Sequence, residues 1–498
     1  MRTAQFAALA VTVGVTGMAA VGIGLVEQPG ELRASADQFV NDRTGAASEA
    51  HNTPSVAVDP RQPATLAVAN RLDVPELGCA LSFSSTGGTS WERAELSPGL
   101  AAENCFWPRV AYLPDGTLLV MYTTLGGPNL LPLSVWLQRY VDGRPSGPPV
   151  EVAGDLAFHA RMAVVGEGVW LTWVQAGPDT VENQLGFEPG DNPVVAARSS
   201  DGGRTFSAPV QVSEPDRRVI QPSVVVSSDG RQVTIVALDL GEDVDNYQVI
   251  HDGQTPPDLS LRWQVVSWTS GDGGTTFGPT VVVAGDLVVP QLILADLGPT
   301  PGLAIDARNG RVYAAWDAGR GDERDCWVAA SDDGGRTWSA PVRVGPTAGS
   351  QLLPAVGVAP DGRVDVVFYD RSRDPDDLVQ EVVAATSADG GRTFRWAAVS
   401  DGGTDSRIGL GAQQGVAVQG DNLAVLSRAG GMVVFWADTG RGTLVSPFQD
   451  LALAVVDIEA GGGRRWAAVV VGAALLFAAG ALLTLARQTR QAGYEAGV

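Results

Sequence analysis

One eight-residue phrase occurs four times in this sequence, and a fifth, eroded copy precedes the other four. The four intact copies share Ser-x-Asp-Gly-Gly-x-Thr followed by Phe or Trp, and they occupy residues 199–206, 270–277, 331–338 and 387–394. The eroded copy is 84–91. The intact copies recur at intervals of roughly 55 to 70 residues, which is typical of one supersecondary unit per copy with loops of variable length. The phrase therefore predicts a repeat fold.

Each copy has the composition of a tight turn. The aspartate can accept hydrogen bonds from nearby backbone N–H groups, the glycines can adopt positive φ, and the final aromatic ring is a large apolar anchor. The pattern resembles the Asp-box, the bacterial neuraminidase repeat of sialidases and related β-propellers. The resemblance implies a β-propeller in which the box aspartates have a structural role: Asp201, Asp272, Asp333 and Asp389.

A second recurring phrase precedes the boxes: an alternating apolar strand, a turn of the Asp-Gly type and another apolar strand. Openings of this kind begin near Pro54, Pro108, Arg161, Pro222, Gly302, Pro354 and Gln414. We therefore expect an all-β fold, a β-propeller of four-stranded antiparallel blades. Seven blades are favoured, because the units near Pro108 and Arg161 both have complete openings. Six blades, the number in sialidases, would follow if these two units merged.

The two ends of the chain differ from the repeats. Residues 6–26 are apolar and rich in small side chains, which favours a secretion signal or an uncleaved anchor. Residues 466–486 contain no charged residue and are long enough to cross a bilayer as a helix. The predicted organisation is a signal or anchor over 1–30, the propeller over 31–450, a juxtamembrane stalk over 451–465, the transmembrane helix over 466–486 and a short cytoplasmic tail over 487–498.

The leader and the acidic body predict an exported propeller held at the cell membrane by one helix, or by two if the leader is retained. Residues 451–459 either close the last blade or form the stalk. The net charge of −22 argues against nucleic acid as a partner, because phosphate binding needs a basic surface. The expected partners are a glycan or a protein of the envelope, and the sequence leaves the oligomeric state open.

Three cysteines fit an exported protein with one disulfide and one spare thiol. Cys79 begins the third strand of the first predicted blade, and Cys105 lies where the chain enters the second, so both should lie near the same rim. We predict a disulfide between Cys79 and Cys105, with Cys326 free and buried. A bond between Cys79 and Cys326 is not excluded by the sequence.

The face opposite the boxes should carry the long, charged loops. In a four-stranded blade the turns after the first and third strands share one face, and the remaining loops share the other. The loops on this other face include 71–76, 241–258, 317–325 and 369–377. They contain arginines, carboxylates and tyrosines directed toward one central funnel, which is the chemistry that binding an acidic sugar requires.

Sialidases, as a family, hold the substrate carboxylate with three arginines, attack with a tyrosine and use an aspartate as acid and base. By position on the rim, the resemblance implies Tyr369 as the nucleophile, with Asp370 or Asp73 as the acid. The residues implied for substrate binding are Arg71, Arg320, Arg371 and Asp317. The Arg-Ile-Pro phrase of many sialidases is missing here, and Arg43 and Arg109 are the nearest candidates for its arginine.

Two functions remain open at this stage. One is a sialidase-like glycosidase acting on an acidic glycan. The other is a non-catalytic propeller whose rim residues pair with one another and which binds a glycan or an envelope protein. No cofactor is expected, although Ca²⁺ could be held by a group of aspartates that matches no defined loop spacing: Asp370, Asp374, Asp376 and Asp377. No metal site is predicted, because the three histidines lack the spacing of zinc ligands: His51, His159 and His251.

Overall fold

The computed structural model describes residues 31–459 except 98, 101–103, 128–129, 155, 178–191, 216, 242, 244–259, 261, 289–300, 321–322, 410–418 and 421. The predicted leader, transmembrane helix and cytoplasmic tail lie outside the described residues. All regular secondary structure in the described part of the chain is β-strand. That part contains no helix long and apolar enough to span a membrane.

The strands form seven antiparallel units, named blades 1 to 7 in chain order. The chain begins with β1 (Leu32–Ala34) and β2 (Gln38–Phe39), which belong to blade 7. Blade 1 contains β3 (His51–Asp59), β4 (Gln62–Leu72), β5 (Gly78–Ser84) and β6 (Glu92–Arg93). Blade 2 contains β7 (Cys105–Tyr112), β8 (Leu118–Gly126), β9 (Leu131–Val141), β10 (Arg144–Pro145) and β11 (Val150–Ala153). Blade 3 contains β12 (Ala157–Val165), β13 (Gly168–Gln175), β14 (Val194–Ser199) and β15 (Val210–Gln211).

The second half of the chain continues the same plan. Blade 4 contains β16 (Val219–Val226), β17 (Val233–Asp239), β18 (Arg262–Ser270) and β19 (Val281–Val288). Blade 5 contains β20 (Gly302–Ile305), β21 (Val312–Arg320), β22 (Glu323–Ser331) and β23 (Val342–Val344). Blade 6 contains β24 (Gln351–Val358), β25 (Val364–Asp370), β26 (Val379–Ser387), β27 (Arg395–Ala398) and β28 (Thr404–Asp405). Blade 7 contains β29 (Ala424–Arg428), β30 (Gly431–Asp438) and β31 (Asp450–Ile458), together with β1 and β2.

The first strand of every blade lies innermost. These strands contact one another in the cyclic order β3, β7, β12, β16, β20, β24 and β29, and β29 contacts β3 again. The described residues therefore form a closed ring of seven blades around a central channel. This is the predicted β-propeller, and it has seven blades rather than six.

Blade 7 is built from both ends of the described chain. Leu32 pairs with Ile458 in the β1–β31 ladder, so an N-terminal strand completes the blade that the three C-terminal strands form. The buried carboxylate of Asp450 adds to this closure. It accepts hydrogen bonds from Asn41 Nδ2 at 2.8 Å and from Arg441 Nε at 2.8 Å, and these donors come from opposite ends of the chain.

One boundary predicted from the sequence is wrong. The stalk was expected to begin at residue 451, but Asp450–Ile458 forms β31, the third strand of blade 7. Of the two alternatives for residues 451–459, the structure has the one in which they close the last blade. The reason is physical: Leu451 to Ala454 are fully buried against the neighbouring strand, which a solvent-exposed stalk would not allow.

Apolar packing between neighbouring blades forms the core. Strands β17 and β25 are buried along their whole length, because other blades or strands cover both of their faces. Leu81 of blade 1 lies in one cluster with Val110 and Val120 of blade 2, and Val382 of blade 6 lies in another with Val434 of blade 7. Burial of each such side chain stabilises the fold by roughly 1.5–3 kcal/mol. The strands are accordingly rich in valine and alanine.

The four repeat turns, residues 199–206, 270–277, 331–338 and 387–394, have the same hydrogen bonds. In the second of them, Asp272 Oδ1 accepts from the backbone N–H of Thr275 at 3.0 Å and of Thr276 at 2.9 Å, and Oδ2 accepts from the Thr276 hydroxyl at 2.7 Å. The Ser270 hydroxyl donates to the same carboxylate at 2.7 Å. Hydrogen bonds from Thr276 and Ser270 hold the pKa of Asp272 below its usual value. The equivalent aspartates are Asp201, Asp333 and Asp389.

Each repeat turn also bonds to the blade before it. The first glycine of each turn has positive φ and presents its carbonyl oxygen to a donor from that preceding blade. The donor–acceptor pairs are Arg139 with Gly202, Trp170 Nε1 with Gly273 at 2.8 Å, Thr234 Oγ1 with Gly334 at 2.8 Å, and Arg311 Nη2 with Gly390 at 3.4 Å. The repeated phrase thus shapes a turn within one blade and joins that blade to its neighbour.

Candidate functional site

The two faces of the ring carry different connections. The repeat turns and the turns after the innermost strands lie on one face, named the turn face. The loops after the second strands and the links between blades lie on the other, named the mouth face. Most of the predicted rim loop 241–258 lies outside the described residues.

Five innermost strands begin with the same bulge at the mouth. In each, the strand pairing shifts around one non-glycine residue with a φ between 46° and 55°. These residues are Thr53, Trp107, His159, Gln221 and Leu353, and each is at most 2% exposed. Such a conformation costs on the order of 1–3 kcal/mol per residue and persists only when the surrounding packing holds it. The bulges re-aim the residues that follow them.

The central channel contains a cavity of about 240 Å³ below this ring of bulges. Polar side chains from blades 1 to 4 and from the segment before β29 of blade 7 line it: Ser55, Arg109, Arg161, Ser223 and Asn422. Arg109 Nη2 donates to Asn422 Oδ1 at 2.9 Å, and Arg161 Nη2 donates to Gln221 Oε1 at 3.3 Å. Among the described residues that line the cavity there is no carboxylate. Two guanidinium groups from neighbouring blades therefore lie at the axis of the ring.

Sequence reasoning identified only one of these two arginines. Arg109 was a candidate for the first sialidase arginine, and its guanidinium does reach the channel. Arg161 was used only to mark the start of a blade. Both follow the bulge by two positions, as Ser55 and Ser223 do. Aligning the blade openings on this position would have identified Arg161 as a channel residue.

The predicted clamp Arg71 and the predicted acid Asp73 are bonded to each other. Arg71 Nε lies 2.7 Å from Asp73 Oδ1, and both side chains are 1% exposed. Asp73 Oδ2 accepts a further hydrogen bond from Asn52 Nδ2 at 2.6 Å, and the Arg71 guanidinium covers the Phe106 ring at 4.6 Å. The structure brings these two residues together as a buried ion pair, away from any surface that a ligand could reach.

The predicted nucleophile Tyr369 is part of the core between blades 6 and 7. It is 1% exposed, and its hydroxyl both donates to Ala437 O and accepts from Ala437 N, each at 3.2 Å. Burial raises the pKa of Tyr369 above its ordinary value. A hydroxyl that is buried and bonded on both sides is not presented to a substrate. Its assignment as a nucleophile has no support in this geometry.

The neighbouring predicted residues are also buried. Asp370 is 4% exposed and accepts from Gln351 Nε2 at 3.0 Å and from the Ser372 hydroxyl at 2.6 Å. Arg371 is 3% exposed and donates from Nε and Nη2 to Gln380 Oε1 at 3.2 and 3.1 Å. Burial lowers the pKa of Arg371 to about 10. These two side chains hold the loop after β25 to the body of blade 6.

The last predicted binding residues lie in blade 5. Asp317 is fully buried and pairs with Arg324 on the adjacent strand, and burial raises the pKa of Asp317. Arg320 ends β21, and the structure describes its backbone alone. The described side chains of the predicted residues in blades 1, 5 and 6 thus bond to other groups of the propeller. None of these side chains lines the central cavity.

The aspartates considered for Ca²⁺ bind parts of their own loop and its neighbour. Asp374 Oδ2 accepts from the backbone N–H of Leu378 at 2.8 Å and of Val379 at 2.7 Å. Asp377 accepts from the Ser350 backbone N–H at 2.9 Å and hydroxyl at 2.7 Å. Within the described ranges, no three or more His, Cys, Asp or Glu side chains are grouped as metal ligands would be.

The disulfide joins blades 1 and 2. Cys79 on β5 is bonded to Cys105 on β7, with 5.5 Å between their Cα atoms, and Cys326 is a buried free thiol. Burial raises the pKa of this thiol well above its usual value. The predicted pairing is confirmed, and the alternative pair of Cys79 with Cys326 is absent.

No protein-family model matches the sequence, and no curated protein matches it significantly. Solved structures with a similar fold do exist. An ulvan lyase of a new polysaccharide lyase family is 12% identical over 84% of this chain and 95% of its own, with a TM-score of 0.50. A Hadza microbial sialidase is 12% identical over 77% and 72%, with a TM-score of 0.42. An α-L-arabinanase from Penicillium chrysogenum is 13% identical over 71% and 93%, with a TM-score of 0.41.

The likeness shows the fold alone. One fold can support many unrelated activities. What this protein does must therefore be argued from its own residues.

Proposed function

We propose that this protein is a non-catalytic β-propeller, tethered at the cell membrane, whose mouth face binds a glycan or a protein of the envelope. One observation carries the proposal. The three predicted catalytic groups, Tyr369, Asp370 and Asp73, are buried and hydrogen-bonded to other parts of the propeller. These groups stabilise the fold, and the mouth face is proposed to bind a partner without cleaving it.

The chemistry of glycoside cleavage supports this reading. A nucleophile and a general acid must each reach the reacting bond within hydrogen-bonding distance. The Tyr369 hydroxyl already has a donor and an acceptor, and its raised pKa disfavours the ionised form that would attack. The carboxylate of Asp73 is neutralised by Arg71 in the same buried pair. Moving either group to the surface would leave its buried partners without hydrogen bonds, which would lower the stability of the fold.

Both ends of the described chain lie on the turn face. β1 and β31 run antiparallel, and Leu32 pairs with Ile458 at the turn-face end of blade 7. Arg33 and Glu459 form an exposed ion pair at 3.1 Å beside them. The chain therefore enters and leaves the propeller on the turn face.

A second candidate function is an exo-sialidase or a related hydrolase of acidic glycans. The observation that favours it is the central cavity, where Arg109 and Arg161 come from neighbouring blades. Guanidinium groups are suited to binding the carboxylate of an acidic sugar. In the binding proposal, these arginines recognise an anionic group of the partner without cleaving it.

The proposal is tested by binding of the purified full chain, in detergent, to an array of acidic and neutral glycans and to an envelope extract. We expect retention of an acidic glycan or an envelope component, and loss of that retention in Arg109→Ala. The matched control is Arg336→Ala, which removes an exposed arginine from a repeat turn on the other face. Retention that is unchanged in Arg109→Ala but lost in Arg336→Ala would contradict recognition at the mouth.

A further inference from the structure

The turn face carries a second cavity, where the repeat pattern is interrupted. Blade 2 has no repeat turn. Its β9 and β10 are joined by the two-residue turn Asp142-Gly143, in which both residues have positive φ. Beside this short turn lies a cavity of about 560 Å³, walled by blades 1, 2 and 3. Pockets that bind small molecules commonly have volumes of roughly 300–1,000 Å³.

Three arginines, one from each blade, line this cavity: Arg61, Arg139 and Arg204. Each is fixed by the protein on one side. Arg61 Nη2 bonds to Asp59 Oδ2 at 3.0 Å, Arg204 Nη1 donates to Asp201 O at 2.6 Å, and Arg139 donates to the Gly202 carbonyl oxygen. A guanidinium has five N–H donors in a rigid plane, so one anchored edge leaves other donors for a ligand. The arginines are thereby pre-organised, which reduces the entropy lost on binding.

The charges in the cavity favour an anion beside the two arginines of blades 2 and 3. Partial burial, followed by the nearby cation of Arg204, lowers the pKa of Arg139. A bound negative charge stabilises both cations. The Asp115 carboxylate, which interacts with both Arg139 and Arg61, accepts from the Thr117 backbone N–H at 2.8 Å, and the exposed Asp142 carboxylate also lines the cavity.

The remaining wall is apolar. Val141 is 43% exposed, and it lines the cavity together with Pro148 and Val150. The cations, the acceptor oxygens and the apolar surface of this cavity match three features of one ligand class. A sugar acid has a carboxylate, several hydroxyl donors and a face of C–H groups.

We propose that this cavity, named the blade-2 pocket, binds a sugar residue that carries a carboxylate. Arg139 and Arg204 bind the carboxylate, Asp115 and Asp142 accept hydrogen bonds from ring hydroxyls, and Val141 with Pro148 contacts the C–H face. The pocket lies on the face opposite the mouth, so it is a site in addition to the one in the proposed function.

The test is calorimetric titration of the full chain, in detergent, with D-glucuronate, D-glucose and acetate. We expect glucuronate to bind and to bind more tightly than either glucose or acetate, because only glucuronate has both the carboxylate and the hydroxyls. Arg204→Ala should weaken glucuronate binding by about tenfold or more, which is the usual effect of losing a charged hydrogen bond. Thermal unfolding of each variant checks that its fold is retained.

The repeats supply matched controls. Arg336 and Arg392 occupy the position of Arg204 in two other repeat turns and make the same bond, to Asp333 O at 2.8 Å and to Asp389 O at 3.0 Å. Arg336→Ala and Arg392→Ala should leave glucuronate binding unchanged. The proposal is overturned if these variants weaken binding as much as Arg204→Ala, if glucose or acetate binds as tightly as glucuronate, or if glucuronate does not bind.

Discussion

The turn face and the mouth face of this propeller are stabilised in different ways. On the turn face one phrase is used four times, and each box aspartate bonds to residues of its own turn. On the mouth face each loop has its own arrangement, with bonds inside one loop, such as Arg71 with Asp73, and bonds between distant residues, such as Asn52 with Gln449. Repetition therefore specifies the ring, while the irregular face can vary with function.

The difference extends to burial. The box aspartates are near the surface, where solvent weakens their contribution. The charged residues of the mouth face are mostly buried in pairs, such as Arg71 with Asp73, where the loss of one partner leaves an uncompensated charge. We therefore expect the same chemical change, removal of one aspartate, to be more costly on the mouth face than on the turn face.

The largest expected effect is at the mouth. Asp73→Ala removes the carboxylate that bonds to the buried Arg71 guanidinium, and breaking this buried ion pair should lower the free energy of unfolding by about 3–5 kcal/mol. Denaturant unfolding of the full chain measures this. The control on the same face is Arg373→Ala, which breaks the exposed pair with Glu381 and should cost less than about 1 kcal/mol. Equal effects of the two changes would contradict the importance of burial.

A smaller effect is expected on the turn face. Asp333→Ala removes hydrogen bonds from the Ser331 hydroxyl and from the backbone and hydroxyl of Thr337. Since these bonds lie near solvent, the expected loss is about 2 kcal/mol in the same unfolding measurement. The neighbouring change Asp332→Ala alters a carboxylate that is 76% exposed and should have little effect. If the two variants unfold alike, the repeat turns do not stabilise the ring.

The smallest expected effect is a pH dependence at the closure of blade 7. Asp37 and Asp401 bond through their backbone N–H groups and carboxylates, with Asp438 and Arg43 nearby. Burial, together with the two other carboxylates, raises the pKa of Asp37 to about 6. A raised carboxyl pKa means that the folded state binds the proton more tightly than the unfolded state. The stabilisation is therefore fully present below pH 4 and is lost as the pH rises through 6.

Asp37→Asn should remove this dependence. Because Asp37 is only half buried, the difference is expected to be about 1 kcal/mol once solvent screening is considered. The variant should be more stable than the wild type at neutral pH and similar to it at pH 4. Melting temperatures across this range measure the effect. The expectation would be contradicted if the wild type gained stability relative to Asp37→Asn as the pH rose from 5 to neutral.

The repeating part of the fold was predictable because its signals are local. The aspartate, the glycines and the threonine of each turn lie within eight residues, and every blade opening combines two short strands with a turn. The pair of Cys79 and Cys105 also followed from neighbouring blades. The strand β1 was missed as a member of blade 7, because its partner β31 is more than 400 residues away in the sequence.

The site was less predictable, because sequence position does not show burial. The loops that contain Arg71, Asp73 and Arg371 have the composition of a binding rim, yet these side chains bond to one another or to nearby amides within the protein. An arginine in such a loop can bind a ligand or an internal acceptor, and only the fold decides which. The blade-2 pocket was missed for a related reason: its arginines come from three blades, and its position is marked by the absence of a repeat turn.

The central claim is that the groups expected to perform catalysis are internal parts of the fold. The most direct measurement is hydrolysis of a fluorogenic sialoside by the full chain, in detergent, compared with Tyr369→Phe. We predict no turnover by either protein at any pH, with the wild type folded and retained by its envelope partner. Turnover by the wild type that is abolished in a folded Tyr369→Phe variant would contradict the claim and would establish Tyr369 as a catalytic residue.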